Sequence, residues 1–356
     1  MNILIDSNIP LLSEILSESY NVIEFEGGEL SNGFIQESNA DCLFVRSTTK
    51  CDVFLLGNTK VKFVGTATAG TDNIDKEYFN KNDIKWINAV GSNSLSVTEY
   101  VTLAIQHWCI DNIKKIEDLT IGIVGHGNIG KKVAKVFNKY GKQVIVSDPF
   151  VEIKEYENVR KCDYNDLLKQ SDIITFHTPL TKVGKFPTYR MLNTKNIRNV
   201  NEGTLLINAS RGGVISEDAI KSVDYNLNNL VLDVWENEPT PNPMLISKSF
   251  ISTPHIAGHS IEAKLRGSLN MIQAFELYTG HRINKDILIE RINSKIKTDF
   301  DELDFYSLFK KLKNNINLMN TSNDFKSKLF EANNYNFSEL RKSYKKHNET
   351  LVNELI

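Results

Sequence analysis

Short apolar runs recur through most of the chain, and stretches long enough for helices separate them. Before residue 90 the runs are Asn2–Ile5, Val22–Phe25, Cys42–Val45, Val61–Val64 and Ile84–Ile87. A second series follows at Thr120–Val124, Gln143–Ser147, Asp172–Phe176, Thr204–Ile207, Leu230–Val234 and Phe250–Ser252. Apolar strands alternating with helical stretches predict parallel sheets covered by helices on both faces. Two such series predict two α/β domains.

Between the series, Leu95–Ile110 reads as a helix. Its apolar positions Leu95, Val97, Val101, Ala104, Ile105 and Trp108 are spread too widely for a helix with one face in water. A second helix is predicted over Ile261–Thr279, with Gly280 as its stop signal, and it could return the chain to the first domain. After Gly280 the pattern changes. All 19 glycines and all eight prolines lie at or before that position, so turn chemistry gives way to helical patterns such as Leu303–Leu312 and Phe337–Tyr344. This tail carries Leu303, Phe305, Leu308, Phe309, Leu312, Phe325, Leu329, Phe330, Phe337 and Leu340, more apolar side chains than so small a module buries alone.

With 356 residues the chain is long enough for two or three domains. Lys and Arg total 42 against 44 for Asp and Glu, which leaves no electrostatic footprint for nucleic acid or an acidic membrane surface. Cys42, Cys51, Cys109 and Cys162 form no C-x-x-C pair, so neither a metal site nor a disulfide framework is expected, and reduced cytoplasmic thiols are. Met1 to Pro10 shows no signal-peptide pattern, and no apolar run approaches the ~18 residues of a membrane helix.

The most specific local motif is Gly125-His126-Gly127-Asn128-Ile129-Gly130, which follows a predicted strand and opens the helical run Lys131–Tyr140. Glycines there permit a tight turn, a close approach to a pyrophosphate and close helix–strand packing. The N–H groups of the helix end then face the phosphate. The next strand ends at Asp148, 18 residues after Gly130, where a carboxylate accepts hydrogen bonds from ribose hydroxyls. No Arg or Lys follows closely to meet a 2′-phosphate, so NAD rather than NADP is expected.

Arg211, Glu238 and His255 each follow a strand of the second series, and open α/β sheets bind ligands at those strand ends. The set fits hydride removal from a 2-hydroxy acid. An imidazole takes the hydroxyl proton, a carboxylate stabilises the imidazolium, and a guanidinium fork holds the substrate carboxylate. From the residues alone, His177 competes as the base and Glu236 as the carboxylate.

The wording of several segments resembles the D-isomer-specific 2-hydroxyacid dehydrogenases. These are Val45-Arg46-Ser47, Phe63 to Asp72, Thr175 to Leu180, Leu232-Asp233-Val234-Trp235 and Thr253 to Gly258. The likeness is close over about residues 1–285 and loose in the tail. It implies two doubly wound parallel-sheet domains, a flavodoxin-like substrate domain (1–95 and 256–286) and a Rossmann cofactor domain (96–255), plus a small C-terminal dimerisation domain (287–356). It places the catalytic arginine, glutamate and histidine on Arg211, Glu238 and His255, the glutamate being the one directly before a proline. Cofactor contacts fall on Asp148, Thr178, Ser210, Asp233 and Gly258, beside the glycine loop. Substrate contacts fall on Ser47, Thr68 and His259, the last replacing an expected tyrosine. The resemblance further implies a phosphorylated hydroxy-acid substrate and a homodimer formed through this tail; Arg341 and Lys342 read first as solvated surface charge, with a reach into the partner's site as the alternative. Two rivals remain open: oxidation of 3-phosphoglycerate, and NADH sensing without turnover.

Overall fold

The computed structural model describes residues 1–153, 158–295, 297–331 and 336–351. The side chains of Leu329 and Phe330 lie outside the described residues. Contacts divide the chain into two units, Met1–Asn93 with Ser260–Ile296 and Ser94–His259 with Lys297–Ile356.

The first unit is built on five parallel strands: β1 Asn2–Asp6, β2 Asn21–Phe25, β3 Cys42–Val45, β4 Phe63–Thr66 and β5 Lys85–Asn88, in the order β2-β1-β3-β4-β5. β3 and β4 are buried along their whole length, which is why β3 reads as an unbroken apolar run. β4 begins two residues later than the sequence pattern suggests, because Val61 is buried ahead of the ladder. The helix Ile261–Thr279 returns to this sheet and seals it with Leu265, Met271, Ile272 and Phe275, the last packed edge-on to Phe44 at 5.5 Å. The Ser260 hydroxyl caps its start, and Gly280, at φ 74, ends it.

The second unit holds seven parallel strands: β6 Thr120–Val124, β7 Gln143–Ser147, β8 Val159–Lys161, β9 Ile173–Phe176, β10 Leu205–Asn208, β11 Leu230–Leu232 and β12 Ile251–Ser252. Their order is β12-β11-β10-β9-β6-β7-β8. The order reverses between β6 and β9, so the loops after these two strands diverge at a topological switch point. β8 escapes the sequence pattern because Val-Arg-Lys is a short, largely polar edge strand paired only with β7.

The helix Ser94–Asp111 is buried from Ser94 through Cys109, which explains its all-round apolar character. The C-terminal helices supply part of its cover. Phe305–Asn315 sends Leu308, Phe309 and Leu312 into the same core, and His107 meets Phe309 edge-on at 5.0 Å. Asp304 caps this helix, so it starts two residues after the expected Leu303. A further pair, Leu318–Glu331 and Phe337–Ser343, packs Phe325 and Phe337 beside Trp235.

The boundary expected at residue 287 differs from this division. Residues 287–295 belong to the first unit, because Leu288 and Ile292 enter its core. From Lys297 onward the tail is a small helical addition to the second unit. None of the described helices is long and apolar enough to cross a membrane.

The end of the tail is tied to a buried acid. Thr350 and Leu351 donate their N–H groups to Glu99 Oε1 at 2.6 and 2.7 Å. Burial raises the Glu99 pKa to about 8, with Glu349 pushing the same way against those two N–H groups and Lys297. An unfolded glutamate titrates near pH 4.3, roughly. Between that value and about 8 the folded protein holds a proton that the unfolded chain has released, so stability falls as pH rises through this window. Glu99→Gln should flatten the decline of Tm over that range in thermal unfolding. An unchanged slope would assign the dependence to other groups.

Candidate active site

The chain leaves β6 through Gly125 and turns into the helix Asn128–Tyr140. Gly125 has φ +94, and a Cβ on Gly130 would stand 2.0 Å from the Gly125 carbonyl, so neither position tolerates a side chain. Gly127 differs. A Cβ there would meet nothing within 4 Å, and no side chain caps the helix it begins. Open space therefore lies over the N–H groups of Asn128, Ile129 and Gly130, at the positive end of a helix dipole.

Asp148 is fixed beside this turn. Its Oδ2 accepts from His126 N–H at 2.8 Å and its Oδ1 from Phe150 N–H at 2.9 Å. A carboxylate has acceptor sites left for ribose hydroxyls after two such bonds. At the end of β9, Thr178 Oγ1 is buried with no hydrogen-bond partner among the described residues. An open phosphate cradle, a fixed acidic side chain and an orphaned hydroxyl together fit NAD.

On the other side of the switch point, β10, β11 and β12 end in loops that carry the catalytic candidates. After β11, the Asp233 carboxylate is fully buried. It accepts from Thr253 Oγ1 and Ile256 N–H, both at 2.7 Å, and from Ala257 N–H at 2.9 Å. Its backbone carbonyl accepts from His255 N–H at 2.7 Å. These bonds shape the turn in which His255 takes a left-handed φ of 58. The imidazole Nδ1 then lies 2.8 Å from Glu238 Oε2, while Glu238 Oε1 accepts from Trp235 N–H at 3.0 Å. Burial pushes the Glu238 pKa up, but the bond to His255, the imidazole charge, Trp235 N–H and the Arg341 charge outweigh it and hold the carboxyl below its usual value.

The rival residues sit elsewhere. Glu236 accepts both Nε and Nη2 of Arg190 at 2.9 and 2.7 Å, and its other oxygen takes Glu217 N–H. His177 Nε2 meets the Thr175 hydroxyl at 3.0 Å, and burial drives its pKa down to about 3. It is a weak base, and its recorded partner is a hydroxyl rather than a carboxylate.

Asn208 organises the loop after β10. Its Oδ1 accepts the N–H and Oγ of Ser210, and its Nδ2 donates to the Arg211 carbonyl at 2.9 Å. Arg211 is half-buried, with Nη1 donating to the Ser210 carbonyl at 2.8 Å. A Cβ on Gly212 would lie 1.7 Å from the Trp235 carbonyl, so a glycine lets this loop close on the one leading to Glu238. Gly258 and His259 continue the turn beyond His255, both half-buried.

Ser47 and Thr68 belong to the first unit, in the loops after the neighbouring strands β3 and β4. Asn73 ties these loops together by donating to the carbonyls of Arg46 and Thr49 and to Thr66 Oγ1. Ser47 is exposed, and Thr68 Oγ1 lies 3.0 Å from Thr66 Oγ1.

Sequence reasoning missed the structural part played by Asn208 and read Arg341 as solvated surface charge, with a reach into the partner's site as the alternative. In the structure Arg341 bonds within its own chain, at the His255 turn. The position of Asn208 two residues before Ser210 was a readable signal; a contact across 86 residues was not.

Comparison with known proteins fits this geometry. Residues 102–257 match the family described as D-isomer specific 2-hydroxyacid dehydrogenase, NAD binding domain. An erythronate-4-phosphate dehydrogenase of Acinetobacter baumannii is 38% identical over 286 residues, 80% of this chain and 79% of that protein. The chain belongs to the D-isomer specific 2-hydroxyacid dehydrogenases. NAD is the cofactor. A relative of the same name from Wigglesworthia glossinidia brevipalpis is 34% identical over 98% of this chain and 92% of its own length. Among solved structures, the NAD+-bound 3-phosphoglycerate dehydrogenase of Entamoeba histolytica superposes with a TM-score of 0.65 at 25% identity, over 80% of this chain and 99% of that one. The NAD complex of a formate dehydrogenase from Staphylococcus aureus gives the same TM-score at 19% identity, covering 80% and 98%, and so shares the fold.

Replacing Asp148 with Ala removes both the ribose acceptor and the charge that repels a 2′-phosphate. Fluorescence titration with NADH and NADPH should show weaker NADH binding and a narrower gap between the two. Equal discrimination before and after would place the ribose contact elsewhere.

Proposed function

We propose that the protein oxidises 4-phospho-D-erythronate to 2-oxo-3-hydroxy-4-phosphobutanoate with NAD, a step of pyridoxal 5′-phosphate (vitamin B6) synthesis, as a cytoplasmic homodimer. The observation that carries the chemistry is the 2.8 Å contact of His255 with Glu238. The substrate choice rests on relatives named for that activity, one of them similar over 98% of the chain.

The roles follow from the geometry. A lowered pKa keeps Glu238 ionised, and a carboxylate only accepts, so the imidazole proton sits on Nδ1. Nε2 is then the basic nitrogen that takes the C2 hydroxyl proton. NAD, when bound, accepts the hydride from C2. Glu238 stabilises the imidazolium so formed. The Arg211 fork binds the substrate carboxylate and polarises the C2 oxygen. Ser47, Thr68 and His259 complete the substrate contacts, and Ser210, Asp233 and Gly258 the cofactor contacts.

A spectrophotometric screen following nicotinamide reduction tests the substrate, with 4-phospho-D-erythronate set against 3-phospho-D-glycerate. A 2-oxo acid acceptor belongs in the assay, since slow release of NADH hides turnover. A kcat/KM favouring 3-phosphoglycerate would transfer the reading to the activity of the Entamoeba enzyme. Light scattering of the purified protein tests the dimer.

His255→Asn should keep NAD binding and lose about 10²–10⁴-fold in kcat, the usual contribution of general-base catalysis. Near-normal turnover in the folded variant would return His177 to candidacy. Glu238→Gln removes the charge that favours imidazolium, so the acid limb of the pH–rate profile for oxidation should move to lower pH. A limb that stays in place counts against the pairing.

A further inference from the structure

The helix Phe337–Ser343 carries Arg341 and Lys342 side by side, and the fold separates them. Lys342 is exposed, whereas Arg341 is half-buried against the catalytic turn. Arg341 Nε donates to the main-chain carbonyl of His255 at 3.0 Å, and Nη2 lies 3.3 Å from Nε2 of His259. The helix reaches this place through Phe337, buried in the cluster that also holds Phe325 and Trp235, with the Phe325 and Phe337 rings 6.2 Å apart. Trp235 is the residue whose N–H holds Glu238. One hydrophobic cluster therefore fixes both Arg341 and the carboxylate of the catalytic pair.

His255 occupies a backbone region that L-residues with a side chain disfavour. Asp233 pins the turn from one side, taking the N–H of His255 on its carbonyl and those of Ile256 and Ala257 on its carboxylate. The His255 carbonyl is held from the C-terminal segment, by Arg341. Charged and titratable groups beside the pair include Asp233, which acts on His255, and Arg341, which acts on Glu238 and lies against His259. Glu236, on the same loop as Glu238, is turned to Arg190.

We infer that Arg341 is a positioning residue of the reaction: its guanidinium fixes the His255 carbonyl so that the imidazole stays on Glu238. Arginine suits the place because a planar fork spans two acceptors, here a carbonyl and a ring nitrogen, where lysine offers a point charge. The C-terminal segment then serves catalysis within its own chain.

The inference rests on reading His255 and Glu238 as base and orienting carboxylate. Its test compares full-length wild type, Arg341→Met, Arg341→Lys and His255→Asn by kcat and KM across pH, NADH titration and thermal unfolding. Arg341→Met should retain NADH affinity and lose roughly 10–100-fold in kcat, the scale of a small misplacement of a reacting group. Its acid limb should move to lower pH, as in Glu238→Gln, because an imidazole no longer held on Glu238 loses the charge that favours its protonated form. Arg341→Lys should restore the limb but not the full kcat. A folded Arg341→Met with wild-type kcat, or with a lowered Tm and an unmoved limb, overturns the inference. Should Arg341→Met not fold, Arg341→Lys decides: retained NADH affinity with reduced kcat supports the role, and wild-type kcat overturns it. Failure of the underlying reading shows separately, as near-normal turnover in His255→Asn.

Discussion

The carboxylate of Asp233 accepts three hydrogen bonds in a fully buried site, and the geometry of the catalytic turn follows from them. Burial raises the Asp233 pKa, and the donors on its lone pairs, with the imidazole of His255, work against that. The chain supplies them from one short stretch, Thr253 to Ala257, and so must wrap that stretch around the acid. The left-handed His255 and the side-chain direction that meets Glu238 are results of that wrapping. Tyr100 adds a second layer, its hydroxyl 2.7 Å from Thr253 Oγ1, and thereby ties the turn to the buried helix Ser94–Asp111. A single hydrogen-bonded acid side chain thus links the core of the second unit to the His255 turn.

The sheets were legible because parallel strands buried on both faces leave unbroken apolar runs, as at Thr120–Val124, whose five residues are all buried. The glycine loop was legible because sterics permit few substitutes: the 2.0 Å approach at Gly130 excludes any side chain. Residue types alone could not choose between Glu236 and Glu238. That choice depends on Arg190, 46 residues upstream of Glu236, whose guanidinium occupies one of the two acids. Nor could they separate His255 from His177, since the difference is burial and a partner rather than a motif. Glu99 is a buried acid within the helix Ser94–Asp111. Its meaning lies 251 residues away, in the N–H groups of Thr350 and Leu351.

The family likeness and the geometry support one another at different levels. Relatives similar over most of the chain settle the family, and the open turn at Gly127, the fixed Asp148 and the buried Thr178 hydroxyl fit its cofactor. The tail is where the two lines of reasoning diverged. Its composition suggested a module set apart, yet its apolar residues complete the cover of Ser94–Asp111, and its basic helix ends at the catalytic turn.

That arrangement has a consequence for how the protein is made. Both compact units are discontinuous in sequence. The first lacks its sealing helix until Ile261–Thr279 has been synthesised, and the second lacks cover for Ser94–Asp111 until the chain has grown past Leu312. Domains emerging from the ribosome fold as units when their contacts are available. Here the nascent chain carries an apolar helix with part of its surface open to water until Leu308, Phe309 and Leu312 have been added and can close it. Premature termination in the tail would thus leave a chain with both sheets encoded but an exposed core, a form destined for chaperones and proteases rather than for partial activity.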